Sequence, residues 1–186
     1  MANPEHVETL DILDKTGVVM YRTGISIFAI SLFAFSIELF GQAGLFPVPE
    51  VLGHLILSGL ALGVALSAGN IHVYSKPVRY AISWPGWVGL IILFVDIHQT
   101  VVWLALGFFF ITFSGIALKE SFCFKVIGLK LVPLFLASSV FLMFFKFLWI
   151  TGLLLLLASG ILAYLSKAKW QMPLHFDIGD KSRYQV

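Results

Sequence analysis

Apolar residues occupy this chain in six blocks, near 18–41, 51–71, 80–97, 100–118, 129–145 and 147–165, parted by short polar or Gly- and Pro-containing breaks. A helix needs roughly 17 to 25 apolar residues to cross a hydrocarbon core about 30 Å thick. Each block therefore predicts one transmembrane helix, and the fold class is an all-α polytopic membrane protein. The last two blocks form a nearly unbroken run from Leu131 to Leu165. One helix of that length would reach roughly 50 Å, so the run is predicted to fold back around Phe144 to Phe147.

Ahead of the first block, Asn3-Pro4-Glu5 has the form of an N-cap, a proline at the first helical position and an early acid. Val7, Leu10 and Leu13 recur at helical spacing, which predicts a short interfacial helix over residues 1–16. Glu5, Glu8, Asp11 and Asp14 reverse the basic start of a cleaved signal peptide, so the first span is expected to be retained. Residues 166–186 read as a polar tail, and 1–186 as a single membrane domain with no visible repeat.

Composition removes the soluble alternative: 59% of the 186 residues are hydrophobic and 12% charged, against roughly a quarter charged in a soluble domain. A net charge of +2 spread along the chain makes no basic stripe for nucleic acid. The single cysteine, Cys123, excludes an internal disulfide and a cysteine-rich metal cluster.

The basic residues report on topology, because lysine and arginine are held on the cytoplasmic side. Six spans place Lys15, Arg22, Lys76, Arg79, Lys119, Lys125, Lys130, Lys167, Lys169, Lys181 and Arg183 on one side and only Lys146 on the other. That split predicts both termini in the cytoplasm. Gly59, Gly63 and Ser67, with a second row at Ala61, Ala65 and Gly69, would let span two approach its neighbours closely, making it the expected central helix. Pro85-Gly86 and Pro133 are expected to bend or loosen spans three and five.

Ionisable residues in or beside spans are costly and therefore candidates for function. Under the predicted topology they form two clusters. The outer one holds Glu38, Glu50, His54, Asp96, His98 and Gln99. Its carboxylates and imidazoles could bind a divalent metal, or two histidines a haem iron, or they could simply be solvated. Glu38, inside an apolar run, is expected to need a donor such as His54. The inner cluster holds Arg22, His72, Tyr74, Lys76, Arg79, Lys119, Glu120 and Cys123, with His175, Asp177, Asp180 and Lys181 from the tail. It could bind an anionic headgroup or form a hydrogen-bonded collar around the helix ends.

Two segments carry a resemblance. Gly115-Ile116-Ala117-Leu118-Lys119-Glu120-Ser121-Phe122-Cys123-Phe124 and Asp177-Ile178-Gly179-Asp180-Lys181-Ser182 resemble signatures of an uncharacterised family of bacterial integral membrane proteins, a domain of unknown function found in cyanobacteria and some proteobacteria. Tyr21-Arg22-x-Gly24 and Ile71-His72-x-Tyr74, followed by Pro77 and Arg79, extend the likeness over nearly the whole chain; Ser121 departs from the family's alanine. The resemblance implies an inner-membrane location and no particular reaction. All matched segments fall on the predicted cytoplasmic side, which favours the inner cluster as the site and makes Phe176 to Ser182 a tail folded over the helix ends.

Three function classes follow. One is an accessory, assembly or structural component of a larger membrane complex or a homo-oligomer. Another is a small-solute transporter or channel, which would need a polar path through spans that offer little beyond Ser and Thr. The third is a membrane-embedded enzyme or redox protein acting on a lipid, quinone, haem or metal, with His72, Glu120 and Cys123 as acid, base and nucleophile. The sequence names no cofactor.

Overall fold

The structure, a computed structural model, describes residues 9–124 and 126–185, all but the Glu50 side chain among them. Six principal helices, α1 (Ile12–Gln42), α2 (Glu50–Gly69), α3 (Lys76–Val95), α4 (Val102–Ser121), α5 (Val132–Phe144) and α6 (Leu148–Trp170), precede a single-turn α7 (His175–Ile178). Short 3-10 turns at Leu129–Leu131 and Lys181–Arg183 complete the regular structure, and no strand occurs among the described residues.

Each principal helix packs on its neighbours in chain order, and α6 returns to α1, so the six form a closed ring. Its interior is filled by phenylalanines. Phe28 stacks on Phe113 with ring centroids 3.5 Å apart and meets Phe110 edge-on at 6.4 Å. Phe109 is also fully buried in this cluster.

The centre of the packing is α1 rather than the expected α2. It is gripped on one side by α2 and on the other by α6, and the row Gly59, Gly63 and Ser67 serves to press α2 onto it. A Cβ at Gly63 would lie 2.8 Å from the Phe28 backbone nitrogen, and one at Gly24 would lie 2.8 Å from that of Ser67. With lipid around the helices there is little hydrophobic drive between them, so these backbone approaches supply dispersion contacts that larger residues would forbid.

The expected interfacial helix is not separate where it can be seen. Residues 1–8, with the Asn3-Pro4-Glu5 cap, lie outside the described residues, and residues 12–16 already belong to α1. The cause is a reciprocal capping box: the Asp11 carboxylate accepts from the Asp14 amide at 2.7 Å and Asp14 returns the bond at 3.0 Å. At 31 residues α1 is about 46 Å long, well beyond a bilayer core.

The fold-back between α5 and α6 is a turn at 145–147, with Lys146 at φ 60°. Of the two prolines expected to disturb spans, Pro85 lies inside α3, whereas Pro133 sits in the first turn of α5, where no backbone donor is needed. Among the described residues five helices are long and apolar enough to cross a membrane; the apolar stretch Leu129–Phe144 is shorter.

Candidate functional site

At the end of the bundle holding the α1 start and the α6 end, buried helical stripes finish in charge. On α1 the stripe runs through Val18, Tyr21, Arg22 and Ile25; on α4 through Ile116, Ala117 and Glu120; on α6 through Leu162, Leu165, Ser166 and Lys169. Packing the apolar parts forces the polar ends together.

Glu120 Oε1 accepts from Tyr21 Oη at 2.7 Å and from Lys119 Nζ at 2.9 Å, while its Oε2 faces Lys169 Nζ at 3.0 Å. Asp177, delivered by α7, accepts from Arg22 Nε through Oδ2 at 2.6 Å and meets Lys169 with Oδ1. That last contact has no regular hydrogen-bond angle, yet the ammonium lies directly against the oxygen, so the charge contact decides. Arg22 also donates to the carbonyls of Met172 at 2.8 Å and Pro173 at 3.0 Å, using the chain just past the end of α6.

The two ammonium groups stand 5.0 and 5.2 Å from the Tyr21 ring centroid, and Lys169 lies 5.0 Å from that of Phe124. Both lysines occupy the last turn of their helices, where the backbone dipole favours a cation. Three cations meet two carboxylates, and Lys119, the most exposed at 18% of its side chain, keeps part of its hydration.

The tail is strapped down by a second set of bonds. Gly179 turns at φ 66°, and a Cβ there would fall 2.0 Å from Tyr74 Oη, so glycine is required by backbone conformation and by space. Tyr74 Oη accepts from the Asp180 amide at 2.8 Å, and Tyr184 Oη donates to the Ile178 carbonyl at 2.9 Å. The two rings meet edge-on at 5.0 Å, and burial raises the pKa of Tyr184. Beyond them Arg79 donates to the Gln185 carbonyl at 3.3 Å. Lys181 reaches the Thr9 carbonyl at 3.1 Å and pairs with Asp14.

The inner cluster thus divides in two. Arg22, Lys119, Glu120 and Asp177 form the buried network; Tyr74, Arg79, Asp180 and Lys181 hold the strap. His72 belongs to neither. Its Nδ1 is buried without a partner, Gly17 of α1 lies against its ring, and burial, with Lys119 nearby, lowers its pKa. Cys123 is exposed past the end of α4, and no hydrogen bond joins His72 to Glu120 or Cys123. Lys125 lies outside the described residues.

The outer residues do not converge as the metal expectation required. Among the described residues no three of His, Cys, Asp or Glu gather. Glu38 accepts from Gln42 one turn along at 3.0 Å, not from His54. His54 Nδ1 pairs with Gln99 Nε2 at 3.1 Å. Asp96 caps the following turn through the amides of Val101 at 2.6 Å and Thr100 at 2.9 Å. The Val101 bond is the main cause of a lowered Asp96 pKa. His98 is exposed.

Two network members escaped the sequence reading. Tyr21 enters the sequence analysis only within Tyr21-Arg22-x-Gly24, and Lys169 only as a topology charge. The signal for Lys169 is periodicity: 155, 158, 162, 165 and 169 continue one buried stripe of α6, from which Lys167 falls away.

The matched family model, an uncharacterized integral membrane protein (DUF2301), covers residues 66–186, from the last turn of α2 through the tail. An uncharacterized protein of Haemophilus influenzae (strain ATCC 51907 / DSM 11121 / KW20 / Rd) is 34% identical over 186 residues, which is all of both chains. No solved structure matches. With its apolar helices and this match across most of its length, the chain belongs to the DUF2301 family of integral membrane proteins.

Proposed function

We propose that this is a bacterial inner-membrane protein of six spans with both termini in the cytoplasm, serving as an accessory or structural component of a larger membrane complex. Its cytoplasmic end is a tail-locked platform. One observation carries the reading: all four carboxylate oxygens of Glu120 and Asp177 already face a cation. A general base needs a lone pair free to reach substrate, and these groups instead hold three helices and the tail together. The phenylalanine-filled interior of the ring favours the same role over a solute path along its axis.

Six spans are supported by the geometry of the shortest member. The 13 residues of α5 and the 3-10 turn before it reach about 26 Å together, close to a bilayer core of about 30 Å. The eleven-to-one distribution of basic residues supports the orientation.

Extraction in mild detergent followed by native-size analysis tests the role. A stable assembly containing a different polypeptide is expected; a well-folded chain recovered only as monomer or homodimer overturns it. Orientation has its own test in the lone exposed thiol. A membrane-impermeant maleimide should label Cys123 in inverted vesicles and leave it unlabelled in right-side-out ones.

A further inference from the structure

Glycine inside a helix weakens it relative to alanine, and in this bundle such glycines sit where another element comes close. Gly160 of α6 breaks that pattern. Among the described residues it is the one glycine of the six principal helices at which an added Cβ would meet nothing within 4 Å. What the missing side chain leaves is a groove of about 430 Å³ on the outer face of the bundle, lined by Leu156, Leu157, Gly160, Ile161 and Tyr164 of α6 and by Ile127 of the loop before α5. The loop is held against α6 by Gly128, at φ 82°, where a Cβ would lie 3.0 Å from Ile161 Cδ1. Its volume falls within the range of ligand sites.

Towards the end of the bundle that holds the charged network, the groove becomes polar by steps. Tyr164 follows Gly160 by one turn, and Lys167 follows it by a heptad, which returns to the same side of the helix within about 20° and lies roughly 10 Å further along. Both are exposed, and so is Lys130 in the 3-10 turn just past Ile127. Lys119, Lys169 and Lys181 each face a carboxylate. Lys130 and Lys167 do not: among the described residues neither forms an ion pair, and the Tyr164 hydroxyl makes no hydrogen bond. No Asp or Glu lies within four residues of either lysine along the chain, and Glu120 and Asp177 are already committed to the buried network. The apolar groove therefore ends in a phenol and then in cations without counter-charge.

We propose that this groove holds an anionic phospholipid, its phosphate facing Lys167 and Lys130, an ester carbonyl accepting from Tyr164 Oη, and an acyl chain lying over Gly160 along Leu156, Leu157 and Ile161. Charge complementarity selects this occupant. Lipid tails and leucine are equally apolar, so the groove supplies shape and the lysines supply preference. A neutral lipid offers the two ammonium groups nothing, and a zwitterionic headgroup brings a cation of its own beside them. A fatty-acid carboxylate lacks the ester that Tyr164 can bind. A second copy of the chain seated here about a two-fold axis would set its own Lys130 and Lys167 against this pair with no acid between them. The inference needs only the membrane setting of the chain and is independent of whether it belongs to a larger complex.

The test uses the full chain in phosphatidylcholine nanodiscs containing phosphatidylglycerol with a diazirine on its acyl chain, the adducts being mapped by peptide mass spectrometry. Adducts are expected to concentrate within 156–164 and at Ile127, displaced by unlabelled phosphatidylglycerol and not by phosphatidylethanolamine at equal concentration. Gly160→Leu fills the groove from open space, where folding is not at stake, and should bring labelling of that segment down to the level of other lipid-facing peptides. Lys130→Gln combined with Lys167→Gln should cut labelling at least about tenfold, each basic residue at an anionic surface being worth about fivefold, and should leave labelling by the matching phosphatidylcholine probe unchanged. In a Cys123→Ser background, Leu157→Cys should not cross-link one copy to another. Adducts spread evenly over lipid-facing peptides, equal displacement by phosphatidylethanolamine, labelling unchanged in Gly160→Leu or in the double lysine variant, or efficient cross-linking through Leu157→Cys would each overturn the proposal.

Discussion

The two ends of this bundle solve the same problem in opposite ways. Each must finish apolar helices with polar residues. At the end bearing Arg22, Lys119, Glu120, Lys169 and Asp177, the charges pair with one another beneath the tail, all buried except the half-buried Lys119. At the end bearing His54, Asp96, His98 and Gln99, the polar groups stay in short loops, pair with near neighbours in the chain or across one seam, and leave an open cleft. Buried charges have no alternative partner in water, so the first end is fixed by long-range pairs. The second can be rearranged at little cost.

The difference should appear first as a contrast in stability. Asp177→Ala leaves Arg22 with no carboxylate and Lys169 with Glu120 alone in a buried site, and removing one partner of such a pair costs about 3–5 kcal/mol. Thermal unfolding in detergent should show a large loss, with the tail becoming sensitive to protease; a variant as stable as the parent would mean that the network does not hold the fold. Gly24→Ala probes the packing beneath it. Its Cβ would press on Ser67 and Gly63 backbone atoms, and about 1–3 kcal/mol should be lost.

Loosening the strap should do less. Tyr74→Phe removes the acceptor for the Asp180 amide and should lower stability by about 1 kcal/mol, read as faster hydrogen exchange confined to residues 178–185. Global loss would show that strap and network act as one unit.

Acid should separate the ends as well. Burial, with Lys119 adding to it, lowers the folded-state pKa of His72, while Asp177 and Asp14 oppose the shift. The unfolded chain therefore binds the proton first as pH falls, so stability declines below about pH 6.5. His72→Gln should flatten that decline, whereas His54→Ala should not; an identical pH profile in His72→Gln would assign the decline to other groups. Smallest of all, His54→Ala on the exposed rim should change thermal stability by less than about 0.5 kcal/mol.

How much of this was legible in the chain differs between the ends. The inner site could be placed, because topology charges and the Lys119 to Phe124 and Asp177 to Ser182 segments point to one side. Its wiring could not. Arg22 and Asp177 are 155 residues apart and Tyr21 and Glu120 are 99 apart, and nothing local says which carboxylate meets which cation. At the outer end, side counting grouped Glu38, His54, Asp96 and His98, but sharing a face does not bring side chains into contact. Local chemistry took precedence, with Gln42 claiming Glu38 and the 96–101 turn claiming Asp96.

What the sequence determined by itself was the material: helices, because apolar blocks of span length permit nothing else in lipid, and a membrane setting, because no soluble core could hide that much apolar surface. It also held the fold-back near Lys146 and the glycine rows that let helices touch. Only the tertiary structure decided that α1 and not α2 is the most enclosed helix, that Lys169 joins the network while Lys167 does not, and that Gly179 must be glycine because Tyr74 stands against it. The reason is physical: helix formation is settled by hydrogen bonds within a few residues, whereas close packing and charge pairing depend on which surfaces meet, and that follows from arranging all six helices at once.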